Sequence, residues 1–137
     1  MKCCKPILLV EDDIIDSMTV KRALKDIKVK NPLIVKKNGE EALDYLCNSR
    51  DGLPCLILLD INMPKMNGIE FLESFRKEEE INFIPVVILT SSSEECDRIS
   101  SYKLGISGYM IKPVGYAQFV EVIRTIDMYW TLCETPN

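Results

Sequence analysis

The chain has 137 residues, of which 47% are apolar and 28% charged, a balance typical of one globular domain. No apolar run approaches the ~20 residues of a membrane span, and the first residues lack the apolar stretch of a secretion signal. The net charge is −4 and no clustered basic stripe stands out, which argues against nucleic-acid binding. We therefore expect one cytoplasmic domain over residues 1–137, with a core at about 5–131 and short loose tails, that binds neither nucleic acid nor membrane.

The cysteines do not form a recognisable metal or nucleophile motif. There are six, with no CxxC pair, and the chain has no histidine, which excludes most zinc sites and Cys/His nucleophiles. Cys47, Cys55 and Cys96 are predicted to be reduced packing residues. Cys3 and Cys4 leave two interpretations open: frayed N-terminal residues, or an exposed vicinal pair that oxidises or binds a soft metal.

Three continuous apolar runs, at 6–10, 56–59 and 85–89, predict strands that are covered on both faces. Two weaker runs, at 33–35 and 108–111, predict outer or shorter strands. Between them, apolar residues that return every three or four positions predict helices at 14–27, 40–47 and 69–77. Strands that alternate with helices in this way require parallel pairing, so the expected class is a doubly wound α/β fold.

The remaining two helices follow the fourth and fifth predicted strands. Ser93, followed by two glutamates, has the composition of a helix N-cap and an acidic first turn, and Gly105 suits the helix end. The last helix has one apolar stripe that ends at Trp130. Two interpretations of Trp130 stay open: it packs in the core, or it extends past the core and binds a partner or a second copy.

Acidic and polar residues follow the predicted strands, at the edge where parallel α/β sheets bind ligands. Glu11, Asp12 and Asp13 follow the first strand, Asp60 ends the third, Thr90 ends the fourth, and Lys112 follows the fifth. These acids, the hydroxyl and the ammonium should all converge on one edge. Carboxylates this close coexist cheaply only around a cation, and their oxygens suit Mg²⁺. With a lysine and a hydroxyl beside them, they predict phosphoryl transfer to a carboxylate.

Four segments that span the chain resemble the signature motifs of response-regulator receiver domains, the bacterial two-component signalling family. They are Val10-Glu-Asp-Asp13, Leu59-Asp-Ile-Asn-Met-Pro64 with Asn67-Gly68, Ile88-Leu-Thr90 and Tyr109-Met-Ile-Lys-Pro113. The resemblance implies a flavodoxin-like fold, with five helices around five parallel strands in the order 2-1-3-4-5. It also implies a phosphoprotein of a phosphorelay.

The resemblance assigns a role to each residue of these motifs. Asp60 would be the phosphoacceptor that becomes an aspartyl phosphate. Glu11 and Asp12 would hold Mg²⁺ together with Asp60 and the main-chain carbonyl of Asn62. Asp13 would be an extra acid, with two roles open: capping the first helix or joining the metal ligands.

Three further assignments follow from the same resemblance. Thr90 and Tyr109 would form a coupled switch, with the hydroxyl moving toward the phosphoryl group as the ring turns inward. Lys112 would bridge to the phosphate, and the peptide bond before Pro113 would be cis. The nearby serines, Ser91 to Ser93, are interpreted as loop and N-cap residues and not as a serine-kinase substrate.

With no further domain in the sequence, we expect a stand-alone regulator whose output leaves through its own surface. In the family that surface is the fourth helix, fifth strand and fifth helix, which would bind an unidentified downstream protein or a second copy of the chain. The second half most resembles small receivers paired with phytochrome-type histidine kinases, which makes such a kinase the expected phosphodonor.

The expected protein is not an enzyme in the ordinary sense, because it would catalyse only its own phosphotransfer and dephosphorylation. The alternative is a receiver-fold binding module regulated without phosphorylation. A hydrolase with an aspartyl-phosphate intermediate is disfavoured, because that class needs a second acid two residues after the nucleophile, where this chain has Asn62.

Overall fold

The computed structural model describes residues 5–49 and 52–132. Five strands alternate with five helices along this part of the chain, and none of these helices is long and apolar enough to cross a bilayer. In chain order they are β1 (Ile7–Val10), α1 (Ile14–Asp26), β2 (Leu33–Lys36), α2 (Gly39–Asn48), β3 (Leu56–Leu59), α3 (Gly68–Arg76), β4 (Val86–Thr90), α4 (Glu95–Lys103), β5 (Gly108–Ile111) and α5 (Tyr116–Leu132).

The strands form one parallel sheet in the order β2-β1-β3-β4-β5, which confirms the predicted fold. β1 and β3 are in register from Ile7 opposite Leu56 to Val10 opposite Leu59. All residues of β1, β3 and β4 are buried, whereas the outer strands β2 and β5 are partly exposed. The continuous apolar runs therefore predicted the interior strands because side chains on both faces of these strands are covered.

Alternate strand residues face two separate cores. On one face, Leu8 and Ile57 pack with residues of α2 and α3 such as Leu46 and Phe71. On the other face, residues of β1, β3 and β4 pack against α1 and α5. Trp130 belongs to this second core and is 8% exposed, which favours the packing interpretation. Successive side chains of each strand point to opposite faces of the sheet, so one face packs against α2 and α3 and the other against α1 and α5.

Side chains at the carboxyl edge of the sheet cap three of the helices. Asp13, Asn38 and Asn67 accept hydrogen bonds from backbone N–H groups in the first turns of α1, α2 and α3. The prediction that Ser93 caps α4 is wrong: the N-cap is Glu94, which makes no side-chain capping bond. The N–H of Glu94 instead lies 3.4 Å from the hydroxyl oxygen of Ser92, two residues earlier.

Two of the predicted packing cysteines are not packed. Cys55 is buried in the α1/α5 core, but Cys47 and Cys96 are exposed free thiols. Both positions fit a packed helix face because cysteine is an apolar residue, yet both side chains are exposed. Cys3, Cys4 and the predicted loose tail 133–137 lie outside the described residues.

Candidate functional site

The sheet itself positions the backbone of the predicted site residues. The N–H of Asp60 donates to the last carbonyl of β1 at 3.0 Å, and that of Glu11 donates to the last carbonyl of β2 at 2.9 Å. On the other side, the N–H of Lys112 donates to the carbonyl of Thr90 at 2.8 Å. Parallel pairing thus continues one residue beyond the strands, so these side chains project from a rigid edge.

Three of the predicted residues form a cluster of carboxylates. Glu11, Asp12 and Asp60 each place a carboxylate oxygen within 4.8 Å of the others. Glu11 and Asp60 are buried, with residue exposures of 2% and 6%, while Asp12 is exposed to solvent. The cluster therefore has a buried floor and one open side, an arrangement that suits a cation that also keeps water or phosphoryl oxygens as ligands.

The ammonium of Lys112 lies against this cluster and against one further acid. Its Nζ is 2.5 Å from Glu11 Oε1, 2.9 Å from Asp16 Oδ2 and 3.3 Å from Asp60 Oδ2. The Lys112 side chain is 8% exposed, so its ion pairs with Glu11 and Asp60 are shielded from water, whereas Asp16 is partly exposed. One buried cation thus faces three carboxylates, and the site retains an excess of negative charge.

The excess negative charge and the burial alter the acidity of the two buried partners. Burial raises the pKa of Glu11 to about 8, an effect that the hydrogen bond from Lys112 opposes and the charge of Asp60 reinforces. For Lys112, burial lowers the pKa, but the hydrogen bonds to Glu11 and Asp16 outweigh it and the net pKa is raised. Lys112 therefore stays charged, and Glu11 is the acid that most needs a second cation to ionise.

The loop after Asp60 turns back under the acceptor. The N–H of Asn62 approaches Asp60 Oδ1 at 3.4 Å, and the N–H of Gly68 donates to the Ile61 carbonyl at 2.9 Å. A cavity lined by Asp12 and Asn62 lies on the open side of the cluster. The assignment of the Asn62 carbonyl as a ligand stays a prediction.

Gly68 has no room for a side chain. A Cβ there would lie 2.5 Å from the carbonyl oxygen of Asp60 and 2.8 Å from the Cα of Ile61. We expect Gly68→Ala to lower the free energy of unfolding by about 2 kcal/mol, because backbone atoms and not a flexible side chain must move. Urea denaturation measures this effect. Gly52→Ala is the matched control, since nothing lies within 4 Å of a Cβ there, and an equal effect at both glycines would contradict the steric argument.

Thr90 and Tyr109 both form a hydrogen bond with the backbone of Ser92. Thr90 is fully buried, and its Oγ1 accepts a hydrogen bond from the Ser92 N–H at 3.2 Å. The hydroxyl of Tyr109 donates to the Ser92 carbonyl at 2.9 Å, and Ser92 Oγ lies 2.7 Å from Asp97 Oδ2 in the first turn of α4. The two predicted switch residues thus contact one loop, although their coupled movement stays a prediction.

The prediction of a cis peptide bond before Pro113 is wrong, because no described peptide bond is cis. A prolyl bond favours trans by only about 0.5–1 kcal/mol, so the surroundings decide which isomer forms. Here the pairing of Lys112 with Thr90 and the contacts of the ammonium with the carboxylates are made with a trans bond.

The sequence matches the model of the response regulator receiver domain over residues 7–124. It is 35% identical over 130 residues to response regulator Rcp1 of Synechocystis, a match that covers 92% of this chain and 88% of that protein. The chain belongs to the response-regulator receiver family. The receiver is also similar to the solved structure of the phosphorylated cyanobacterial phytochrome response regulator RcpA, with a TM-score of 0.91 and 31% identity over 98% of this chain and 100% of that one.

A second solved structure bears on the carboxylate cluster of the receiver. The Mn²⁺-bound form of Rcp1 superposes with a TM-score of 0.86 and 34% identity, covering 97% of this chain and 99% of that one. The donor set present here, three carboxylates with one open side, fits the same kind of hard divalent cation.

Two acids near the cluster are resolved into different roles. Asp13 accepts from the N–H groups of Ile15 at 2.8 Å and Asp16 at 3.1 Å, which favours the capping interpretation. Asp16 was not identified from the sequence, yet its carboxylate contacts Lys112. The sequence did offer one indication: Asp16 lies in the first turn of α1, the helix that directly follows the acidic motif.

A group of basic residues that was not predicted lies at the C-terminal end of α1 and in the loop after it. Four lysines surround a cavity whose floor includes Leu24, Val29 and Leu33. The lysines are Lys21, Lys25, Lys28 and Lys30. The four lysines were not recognised as a cluster because they are spaced along a helix end and the loop after it. That this chain binds no nucleic acid stays a prediction.

Proposed function

We propose that this receiver accepts a phosphoryl group from a histidine kinase on Asp60 and thereby switches a protein-binding surface. The observation that carries the proposal is the buried ammonium of Lys112, which contacts Glu11 and Asp60 of a three-carboxylate cluster with one open side. Glu11, Asp12, Asp60 and the Asn62 carbonyl would hold Mg²⁺. When bound, this ion would neutralise and orient the oxygens of the phosphoryl group.

The chain's own residues supply the rest of the transfer. A carboxylate oxygen of Asp60 forms the new bond to phosphorus, while the bond from phosphorus to the donor's imidazole nitrogen breaks and that nitrogen keeps the electron pair. Lys112 donates a hydrogen bond to a phosphoryl oxygen, and Thr90 supplies a hydroxyl for another. Because the edge of the sheet fixes their backbones, only side chains need to move during the reaction.

The surface formed by α4, β5 and α5 fits the proposed output. Five large apolar side chains on these elements are between 44% and 58% exposed: Ile99, Tyr102, Ile111, Met128 and Tyr129. Tyr109 lies in β5 between this surface and Ser92, so a movement of Thr90 toward the phosphoryl group would reach it through the loop. A downstream protein or a second copy would cover these side chains once Asp60 is modified.

A separate apolar surface adjoins the reacting edge. Ile14, Ile15 and Met18 are 65%, 74% and 64% exposed, and Ile14 and Met18 line a cavity with Glu11 and Asp12. This cavity adjoins the carboxylate cluster, so a protein donor seated on these side chains would lie beside Asp60. We therefore propose that these three side chains dock the kinase.

We expect the double variant Ile14→Ala/Met18→Ala to slow transfer from a phosphorylated histidine kinase at least about tenfold, because two apolar docking contacts are lost. Transfer from acetyl phosphate should be unchanged, since that donor needs no docking surface. Ile99→Ala/Tyr102→Ala on α4 is the matched control, with full transfer from both donors. Equal slowing with both donors would show that the α1 variant damages the site itself.

Intact mass spectrometry with acetyl phosphate, with and without Mg²⁺, tests the proposed function. We expect a Mg²⁺-dependent adduct of one phosphoryl group, with light scattering on the same sample to detect self-association. A doubled mass on modification would identify a second copy as the output partner. No adduct at any Mg²⁺ concentration would contradict the phosphoacceptor proposal and favour a binding module regulated in another way.

A further inference from the structure

The ammonium of Lys112 has three hydrogens, and three acids accept from it. Glu11 and Asp60 follow strands and belong to the three-carboxylate cluster. Asp16 comes from a different element, the first turn of α1, and its carboxylate is 2.9 Å from Lys112 Nζ with a side chain 40% exposed. The acids that surround Lys112 are therefore of two kinds.

Of these three acids, only one can keep its hydrogen bond with Lys112 throughout the proposed reaction. An oxygen of Asp60 becomes bonded to phosphorus, and Glu11 would turn its oxygens to the cation. Asp16 is not a member of the carboxylate cluster and is not the acceptor. It can therefore keep its hydrogen bond while the hydrogen that pointed at Asp60 turns to a phosphoryl oxygen.

We propose that Asp16 is a positioning residue that holds the ammonium of Lys112 beside the acceptor while Glu11 and Asp60 change partners. This inference rests on the proposed phosphoacceptor function. It makes the first turn of α1 part of the reacting site, because Asp16 contacts the Lys112 ammonium directly.

A purely structural role for Asp16 has a different consequence. An acid at the third position of a helix interacts favourably with the helix dipole, and its loss lowers stability wherever the helix lies. Glu41 occupies the corresponding position of α2, bonded to its cap Asn38 and away from Lys112. Glu41→Ala therefore reproduces the structural loss without touching the ammonium.

The test measures the rate of adduct formation from acetyl phosphate at saturating Mg²⁺. We expect Asp16→Ala to be about tenfold slower than the parent, the value of one hydrogen bond to a charged group. Asp16→Asn, which keeps an acceptor oxygen, should recover most of that rate, and Glu41→Ala should match the parent. Equal slowing by Asp16→Ala and Glu41→Ala would overturn the proposal, as would no slowing by Asp16→Ala.

A double-mutant cycle supplies the decisive comparison. In a Lys112→Met background, Asp16→Ala should cause no further slowing, because the group that it positions is gone. The same fold-change in both backgrounds would overturn the proposal. If Lys112→Met does not fold, the contrast between Asp16→Ala and Asp16→Asn decides, with equal slowing by both counting against it. A parent without an adduct would refute the phosphoacceptor function, whereas a parent with an adduct and no coupling would refute only the role of Asp16.

Discussion

Asp60→Asn is expected to abolish the phosphoryl adduct entirely while making the metal-free protein more stable. The amide has nearly the shape of the carboxylate but is no longer an anionic nucleophile, so no acyl phosphate forms. The charge of Asp60 contributes to the raised pKa of buried Glu11, and its removal relieves that repulsion. Lys112 keeps two of its three carboxylates. The balance favours a gain of about 1 kcal/mol in the free energy of unfolding in chelator.

Urea denaturation with and without Mg²⁺ measures this second effect. The variant should also lose most of the stabilisation that Mg²⁺ gives the parent, since one of three acidic ligands is missing. Asp13→Asn is the matched control: it removes a neighbouring charge but keeps a capping oxygen, and it should retain the adduct. A destabilised Asp60→Asn in chelator would contradict the description of the site as an over-crowded anionic cluster.

Lys112→Ala should have the opposite effect on stability and also a large effect on transfer. It leaves Glu11 and Asp60, with side chains 2% and 8% exposed, without their buried counter-ion. We expect the free energy of unfolding in chelator at pH 8 to fall by about 3 kcal/mol, and adduct formation at saturating Mg²⁺ to slow about 100-fold. Lys103→Ala, at the exposed end of α4, is the control for loss of a lysine and should change neither quantity.

The stability deficit of Lys112→Ala should shrink as the pH falls. Glu11 has a raised pKa in the folded state, so between its unfolded value of 4.5 and about 8 the folded chain binds more protons than the unfolded one. Stability therefore falls as the pH rises through this window. Without the hydrogen bond from Lys112, which lowers the pKa, Glu11 holds its proton more tightly. Urea titrations in chelator at pH 5 and pH 8 should show the larger deficit at pH 8, and an equal deficit would contradict this cause.

The sequence was most informative about the interior of the sheet and its carboxyl edge. Continuous apolar runs identify β1, β3 and β4 because these strands are covered on both faces, a property that depends on the fold class alone. The site follows from the same logic, because parallel strands end at one edge. Glu11, Asp60 and Lys112 come from three different strand ends, and they do meet there.

The features that were missed depend on how elements pack against each other. Asp16 contacts Lys112, which lies 96 positions later in the sequence. This contact depends on the orientation in which α1 packs beside β5. Cys47 and Cys96 are exposed because no neighbouring element covers their helix faces. At Pro113 the two isomers differ by little in free energy, so local sequence does not decide between them. Each of these outcomes is set by tertiary contacts and not by local propensity.

Locating the phosphoryl group within the modified chain tests the central claim most directly. Borohydride reduces an acyl phosphate on aspartate to the alcohol, homoserine, with release of phosphate, and peptide mass spectrometry then identifies the position. We expect homoserine at Asp60 alone, and loss of the adduct in hydroxylamine. A phosphate that resists hydroxylamine and lies on Ser91, Ser92 or Ser93 would contradict it.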